Sequence, residues 1–217
     1  MSKILESRMD QFKSIDIYPV ISSEFTLDRD VISVLKAIAE GGAKIVQLRE
    51  KNKSKREILE LAGKYREITA EFGMLLIIND HVDIALIVGA DGVHLGQDDL
   101  PVEDARSIAP DLILGCSTHN FEEIADAEAV GASYINIGPI YPTGTKQVNC
   151  DALGTEYLSR AAKKTFLPFT VMGGIKERHI PDLKAAGASR IAMVTEITQA
   201  EDITRRVKEL RKRILDC

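Results

Sequence analysis

Gly42-Ala43-Lys44-Ile45-Val46 is the first of four copies of one pattern, in which Gly-Ala is followed by any two residues and then by valine or isoleucine. The other copies are Gly89–Val93, Gly131–Ile135 and Gly187–Ile191, at spacings of 47, 42 and 56 residues. Each copy follows a helical pattern and leads into an apolar strand, so we expect its glycine to end the helix in the left-handed conformation. The chain is therefore predicted to repeat one helix–strand unit.

Four further apolar runs lie between these copies, at Ile17–Ile21, Leu75–Asn79, Leu112–Gly115 and Phe169–Met172. Interleaving the two sets gives eight short strands without polar alternation, which is typical of a parallel sheet buried on both faces. Eight units in 217 residues leave roughly 27 residues each, close to the minimum for a (β/α)8 barrel. Two doubly wound halves are the alternative, but four regular quarters favour closure. We predict an α/β fold, a small single-domain TIM (β/α)8 barrel over 1–217, with 1–14 a helical extension covering its bottom.

Composition narrows the class of protein. The chain is 45% hydrophobic and 28% charged, with a net charge of −5, so a disordered or low-complexity chain is excluded. No apolar run approaches the roughly 18–20 residues that span a bilayer, and acidic residues interrupt any secretion signal. An acidic chain without tryptophan is a poor candidate for nucleic-acid binding. Three scattered cysteines indicate neither a disulfide framework nor a zinc site. We expect a cytoplasmic protein without nucleic-acid or membrane partners.

The second strand ends in polar residues, where barrel enzymes place their chemistry. Gln47 and Arg49 alternate along the strand and therefore point to the same side. The basic run 51–56 that follows stands at the beginning of a helix, where the helix dipole disfavours cations. Arginine grips a phosphate with two donors and lysine adds a point charge. The pattern favours an anion site that includes Arg49 and Lys51, with a solvated charge run as the alternative.

Two carboxylates, Asp80 and Asp99, follow the third and fourth strands. Mg²⁺ usually takes one or two carboxylates and completes its coordination with water and phosphate oxygens. The alternative for each aspartate is to cap the helix that begins after it. The pair, opposite a basic cluster, favours a metal site.

The later strands lead into loops that suit a second anion. Ser117 follows the fifth strand, and the loop 138–146 carries two hydroxyls and a lysine after the sixth. Gly173-Gly174 and Val194-Thr195 follow the seventh and eighth strands, where this fold commonly binds phosphate through backbone N–H groups. A plain tight turn is the alternative for the glycines. Two anion sites on one face suit the joining of two phosphorylated fragments.

Five motifs stand in order at the predicted strand ends: Gln47–Lys51, Ile78–Asp80, Gly92–Asp99, Gly138–Lys146 and Gly173–Ile175. Together they resemble the thiamine-phosphate synthase family, from about Tyr18 to Ala200. The resemblance implies a transferase that condenses 4-amino-5-hydroxymethyl-2-methylpyrimidine diphosphate with hydroxyethylthiazole phosphate and releases pyrophosphate. Its partners would be these two phosphorylated small molecules, and a homodimer is a candidate assembly.

The resemblance also implies a role for each matching residue. The pyrimidine diphosphate would be held by Gln47, Arg49, Lys51, Asn79, Ser117 and Lys146. The thiazole phosphate would be held by Thr143, Thr145, Gly173, Gly174, Val194 and Thr195. Mg²⁺, the implied cofactor, would lie on Asp80 and Asp99. The catalytic residues would be Arg49, Lys51 and Lys146, which stabilise the leaving pyrophosphate in a dissociative substitution that needs no strong general base.

Three alternatives are open, one of them within the family and two from other classes of protein. A thiazole tautomerase-like paralogue would carry a histidine near Pro139 and lose parts of the metal site. A lysine Schiff-base aldolase would need a desolvated lysine at a strand end, whereas Lys146 lies among hydroxyls. A non-catalytic ligand sensor would tolerate the loss of a metal carboxylate, and neither Asp80 nor Asp99 is lost.

Overall fold

The computed structural model of the chain describes residues 2–144 and 151–217. The eight strands form one closed parallel barrel in chain order, and β1 also pairs with β8. The strands are β1 Ile17–Ile21, β2 Ile45–Leu48, β3 Leu75–Asn79, β4 Gly92–Leu95, β5 Ile113–Thr118, β6 Tyr134–Ile137, β7 Phe169–Val171 and β8 Ile191–Met193. The predicted TIM barrel is confirmed.

Helices separate the strands and form the outer layer. They are α1 Lys3–Lys13, α2 Val31–Glu40, α3 Lys55–Glu71, α4 Val82–Val88, α5 Val102–Ile108, α6 Phe121–Ala129, α7 Gly154–Lys164, α8 Ile180–Ala185, α9 Thr195–Thr198 and α10 Ile203–Asp216. Short 3-10 turns lie at Ser23–Phe25 and Glu177–His179. Among the described residues, no helix combines the length and the apolar content that a membrane crossing requires.

Local sequence signals explain where the elements begin and end. The repeated glycines have φ of +87° at Gly42, +65° at Gly89, +78° at Gly131 and +100° at Gly187, so each turns the chain from helix to strand in the left-handed region, as predicted. Ser54 opens α3 with a capping box: its hydroxyl accepts from the N–H of Glu57, whose carboxylate accepts from the N–H of Ser54.

Two strand ends differ from the sequence prediction. The fifth strand was predicted over Leu112–Gly115, but β5 continues to Thr118 because Ser117 and Thr118 pair with β6. Their side chains are buried inside the molecule although they are polar. The seventh strand ends at Val171, one residue before the predicted end. The length of an apolar run therefore underestimates the length of a strand such as β5, whose last residues are polar.

Helix α1 lies across the amino-terminal end of the barrel. The guanidinium of Arg8 donates to the backbone oxygens of Asp111 and Ala90, which precede β5 and β4. The buried faces of Leu5, Met9 and Phe12 join the apolar cluster inside the barrel, which includes side chains of β1, β2, β3, β5, β6 and β8. The bottom of the barrel is thus closed by apolar packing, and the open end lies at the carboxyl ends of the strands.

Candidate active site at the carboxyl ends of the strands

A cavity of about 360 Å³ opens at the carboxyl ends of the strands. Its lining includes most of the residues predicted to bind substrates: Gln47, Arg49, Asn79, Ser117, Thr143, Gly173, Gly174, Val194 and Thr195. These residues come from distant parts of the chain and meet because parallel strands carry their carboxyl ends to one face. Thr145 and Lys146, also predicted here, lie outside the described residues.

Arg49 is the cation that the barrel holds at the end of β2. Its backbone N–H donates to the oxygen of Ile21 at 2.9 Å, which fixes it beside β1. Burial lowers the pKa of the guanidinium, while nearby carboxylates, Asp80 foremost, oppose that shift. A partly buried cation that lines a cavity is stabilised by an anion bound in that cavity.

The loop after β1 is tied to the end of β2 by Glu50. Its carboxylate accepts from the backbone N–H of Ser23 at 2.9 Å and from the Ser23 hydroxyl at 2.7 Å. Glu50 is buried, so it is a structural anchor rather than a ligand for substrate. The neighbouring Ser22 lines the cavity, and this anchor holds it in place.

Asp80, Asp99 and Lys51 form a charged group that adjoins the cavity next to Asn79. The Nζ of Lys51 lies 2.6 Å from an oxygen of Asp80. Burial raises the pKa of the Asp80 carboxyl, Lys51 opposes this, and the neighbouring Asp99 raises it further. Asp80 also has a φ of +64°, in the left-handed region that non-glycine residues seldom adopt. The structure thus brings together the two carboxylates predicted as metal ligands.

Neither carboxylate acts as a helix cap. The N-cap of α4 is His81 and that of α5 is Pro101, and neither makes a side-chain capping bond. Within residues 2–144 and 151–217, no group of three or more histidine, cysteine, aspartate or glutamate side chains could hold a metal ion. Two carboxylates at neighbouring strand ends fit Mg²⁺, which completes its coordination with water and substrate phosphate oxygens.

The glycines after β7 are required by both conformation and space. Gly173 and Gly174 have φ of +101° and +61°. A Cβ added to Gly173 would lie 2.4 Å from the Cβ of Pro139, and one added to Gly174 would lie 2.3 Å from the oxygen of Pro142. The loop after β6 therefore packs directly on this turn, and both segments line the cavity.

Two cations missed by sequence reasoning, Lys176 and Arg178, also line this side of the cavity. The Nζ of Lys176 lies 3.1 Å from an oxygen of Glu196 and 3.5 Å from the hydroxyl of Thr195. Arg178 is exposed. Their position directly after Gly173-Gly174-Ile175 was the available signal, because the loops after the seventh and eighth strands commonly bind phosphate in this fold.

A second set of missed residues lies deeper in the barrel. Tyr18 and Tyr134 are buried, and their hydroxyl oxygens are 2.9 Å apart beneath the cavity. His94 lines the cavity and reaches Ser117 through one ring nitrogen and Tyr134 through the other. Single tyrosines in apolar strands resemble ordinary core residues, so no local pattern indicated that their hydroxyls meet.

Cys116 is not a candidate nucleophile. Its side chain is buried, and burial raises the pKa of the thiol to about 11, so the thiolate is scarce at neutral pH. Cys116 instead belongs to the apolar core.

Comparison with known proteins gives one consistent result. The family model described as thiamine monophosphate synthase matches residues 17–197. A thiamine-phosphate synthase of Pelotomaculum thermopropionicum is 47% identical over 90% of both chains, and one of Caldicellulosiruptor saccharolyticus is 43% identical over 97% of this chain and 96% of its own. The solved thiamine phosphate pyrophosphorylase of Pyrococcus furiosus has a TM-score of 0.86 at 33% identity, covering 93% of this chain and 96% of its own.

Proposed function

Because this chain belongs to the thiamine monophosphate synthase family and is a transferase, we propose that its cavity joins an aminopyrimidine diphosphate to a thiazole phosphate. The products are thiamine phosphate and pyrophosphate. The observation that carries the proposal is the meeting of nine predicted substrate-binding residues in one cavity at the carboxyl ends of the strands. The two substrates bind on opposite sides of this cavity.

The diphosphate binds on the side of β2, β3 and β5. Arg49 supplies a partly buried cation, and Lys51 lies beside it at the edge of the cavity. Asn79 and Ser117 line the cavity nearby and offer neutral donors. Negative charge accumulates on the leaving pyrophosphate as the carbon–oxygen bond breaks, so fixed cations at this position lower the barrier.

Asp80 and Asp99 would hold Mg²⁺ at the same side. When bound, this ion neutralises charge on the diphosphate oxygens and so makes pyrophosphate a better leaving group. The support for this assignment is the closeness of two carboxylates at neighbouring strand ends, which raises the pKa of Asp80 and which a divalent cation would relieve.

The thiazole phosphate binds on the side of β7 and β8. Gly173 and Gly174 adopt conformations that leave their backbone close to the ligand space, and Val194 and Thr195 line the same wall. Thr143 lines the cavity from the loop after β6. The thiazole nitrogen attacks the pyrimidine methylene carbon after pyrophosphate has left, and the cavity supplies alignment rather than a strong base.

The test is a coupling assay with both phosphorylated substrates and Mg²⁺, in which thiamine phosphate is measured by its fluorescence after oxidation. Asp80→Asn is the diagnostic variant, because asparagine tolerates a positive φ and removes only the charge. We expect this variant to lose activity by about a hundredfold or more. The wild-type enzyme should lose activity in EDTA and regain it when Mg²⁺ is added. The matched control is Asp83→Asn, which removes an exposed carboxylate paired to Lys55 at 2.9 Å and should keep activity.

Two outcomes would count against the proposal. Folded protein that binds the thiazole phosphate but makes no thiamine phosphate would refute the synthase reaction. Equal activity of the Asp80→Asn and Asp83→Asn variants would refute the metal assignment. A homodimer and a cytoplasmic location stay predictions.

A further inference from the structure

Beneath the cavity, five polar side chains form one hydrogen-bonded chain that crosses the barrel from β2 to β5. The Nε2 of Gln47 lies 3.0 Å from the hydroxyl of Tyr18, which lies 2.9 Å from the hydroxyl of Tyr134. That hydroxyl lies 2.9 Å from Nδ1 of His94, and Nε2 of His94 lies 3.0 Å from the hydroxyl of Ser117. Only the two ends, Gln47 and Ser117, are predicted substrate-binding residues.

Each tyrosine hydroxyl has one hydrogen to donate, so the chain has a direction. Because the amide of Gln47 donates to Tyr18, we assign the hydrogen of Tyr18 to its other polar neighbour, Tyr134. The hydrogen of Tyr134 then goes to Nδ1 of His94, which must carry a lone pair. Burial raises the pKa of both phenols, so both keep their hydrogens at neutral pH.

The same count of donors and acceptors assigns the hydrogens at the two ends of the hydrogen-bonded chain. With Nδ1 of His94 accepting, its Nε2–H donates to the hydroxyl oxygen of Ser117. The hydrogen of Ser117 is then left to point toward an acceptor in the cavity. At the other end, one N–H of Gln47 donates to Tyr18. This bond fixes which way the amide is turned, so that its carbonyl oxygen can accept from a ligand.

We propose that Tyr18, Tyr134 and His94 are positioning residues that fix Ser117 as a donor and Gln47 as an acceptor toward the pyrimidine diphosphate. The inference rests on the proposed function for the identity of the ligand. A phosphate oxygen only accepts, so it requires the Ser117 hydrogen. An exocyclic amine donates, so it requires a carbonyl oxygen. A ligand with the opposite polarity would leave buried polar groups unpaired.

The barrel is built to hold this chain in place. Gly115 in β5 has no Cβ, and one added there would lie 2.2 Å from the ring of Tyr134. From below, the ring of Phe12 in α1 packs on Tyr134 with centroids 4.4 Å apart. Tyr134 is therefore confined between β5 and α1, and its hydroxyl stays between the hydroxyl of Tyr18 and Nδ1 of His94.

The first test is the tautomer of His94 in the free protein, read from its ¹⁵N chemical shifts by NMR. We expect the neutral ring with hydrogen on Nε2. A ring with hydrogen on Nδ1 would overturn the proposal, because Nδ1 would then donate to Tyr134 and Nε2 would accept the hydrogen of Ser117, which could no longer point into the cavity. His94→Gln removes the signal and assigns it among the four histidines.

The second test compares a variant that breaks the hydrogen-bonded chain with a variant that leaves it intact. Tyr18→Phe leaves Gln47 without its acceptor, and we expect the KM for the pyrimidine diphosphate to rise about three- to tenfold. The KM for the thiazole phosphate should stay unchanged. Tyr65→Phe is the matched control, since Tyr65 is also buried but its hydroxyl, among the described residues, reaches only the backbone oxygen of Val31, at 3.5 Å.

The third test uses two replacements of His94 that differ in where they carry a donor. The amide nitrogen of glutamine can take the place of Nε2, and that of asparagine takes the place of Nδ1. We expect His94→Asn to raise the KM for the pyrimidine diphosphate more than His94→Gln, by about threefold or more. The reverse order, or equal rises in both KM values, would overturn the proposal.

The tautomer of His94 and the activity of the enzyme test the inference and the proposed function separately. The tautomer is measured without substrate, so an absence of thiamine phosphate formation in the wild-type protein would refute the function and leave the direction of the chain tested on its own. Conversely, an active enzyme with the Nδ1–H tautomer keeps the function and refutes the inference.

Discussion

Replacing Gly115 with alanine should lower the free energy of unfolding, because the barrel interior has no room for one more methyl group at this position. The new Cβ would lie 2.2 Å from Cζ of Tyr134 and 2.4 Å from both Cε1 and the hydroxyl oxygen. The ring cannot easily retreat, since the rings of Phe12 and His94 lie 4.4 and 5.6 Å away, centroid to centroid.

The magnitude follows from the two ways of relieving this clash. Forcing a methyl group into a packed core costs about 1–3 kcal/mol. Moving the ring of Tyr134 instead breaks its hydrogen bonds to Tyr18 and His94, each worth about 1 kcal/mol. We expect a loss of about 2–3 kcal/mol, which for a domain of this size lowers Tm by about 4–12 °C.

The assay is thermal and urea unfolding followed by circular dichroism, with Gly63→Ala as the control. Gly63 lies within α3, and a Cβ added there meets nothing within 4 Å. Alanine at this helical position should therefore stabilise the protein by about 0.5–1 kcal/mol. If Gly115→Ala proves as stable as the wild type, or gains stability as Gly63→Ala does, the reasoning about the confined ring is wrong.

Three further predictions concern a helix, the thiols and the cavity wall. Ser54→Ala removes the capping box of α3 and should cost about 1 kcal/mol in urea unfolding; an unchanged midpoint would contradict this. Iodoacetamide at pH 8 should modify the exposed Cys217 well before the buried Cys116, whose pKa of about 11 makes its rate rise about tenfold per pH unit; peptide mass spectrometry would reveal the opposite order. Lys176→Met should raise the KM for the thiazole phosphate about fivefold and spare that for the pyrimidine diphosphate; equal KM values would mean that Lys176 only pairs with Glu196.

The sequence predicted the barrel and nine of the residues that line the cavity, because both depend on local signals. Strands β1 and β3 have the predicted bounds, and the four repeated glycines adopt the predicted positive φ. A closed parallel barrel then carries every strand end to one face, so residues such as Arg49 and Thr195 meet without any further information.

Interactions across the barrel were beyond the sequence, because they depend on which side chains reach its axis. Glu50 looked like part of a charge run, but it anchors the loop after β1 through Ser23. Lys176 follows a predicted phosphate turn, yet its approach to Thr195 depends on the packing of β7 against β8. Such contacts join residues far apart in the chain, and no local pattern encodes them.

The amino-acid sequence by itself therefore determined the order of elements, the closure of the barrel and the family to which the chain belongs. Only the tertiary structure decided the polar chain from Gln47 to Ser117, since Tyr18 and Tyr134 lie 116 residues apart. The physical reason is that periodicity and turn residues act over a few neighbours, whereas a buried hydrogen bond requires two atoms within about 3 Å. That distance is fixed by the packing of Gly115 and Phe12 around one ring.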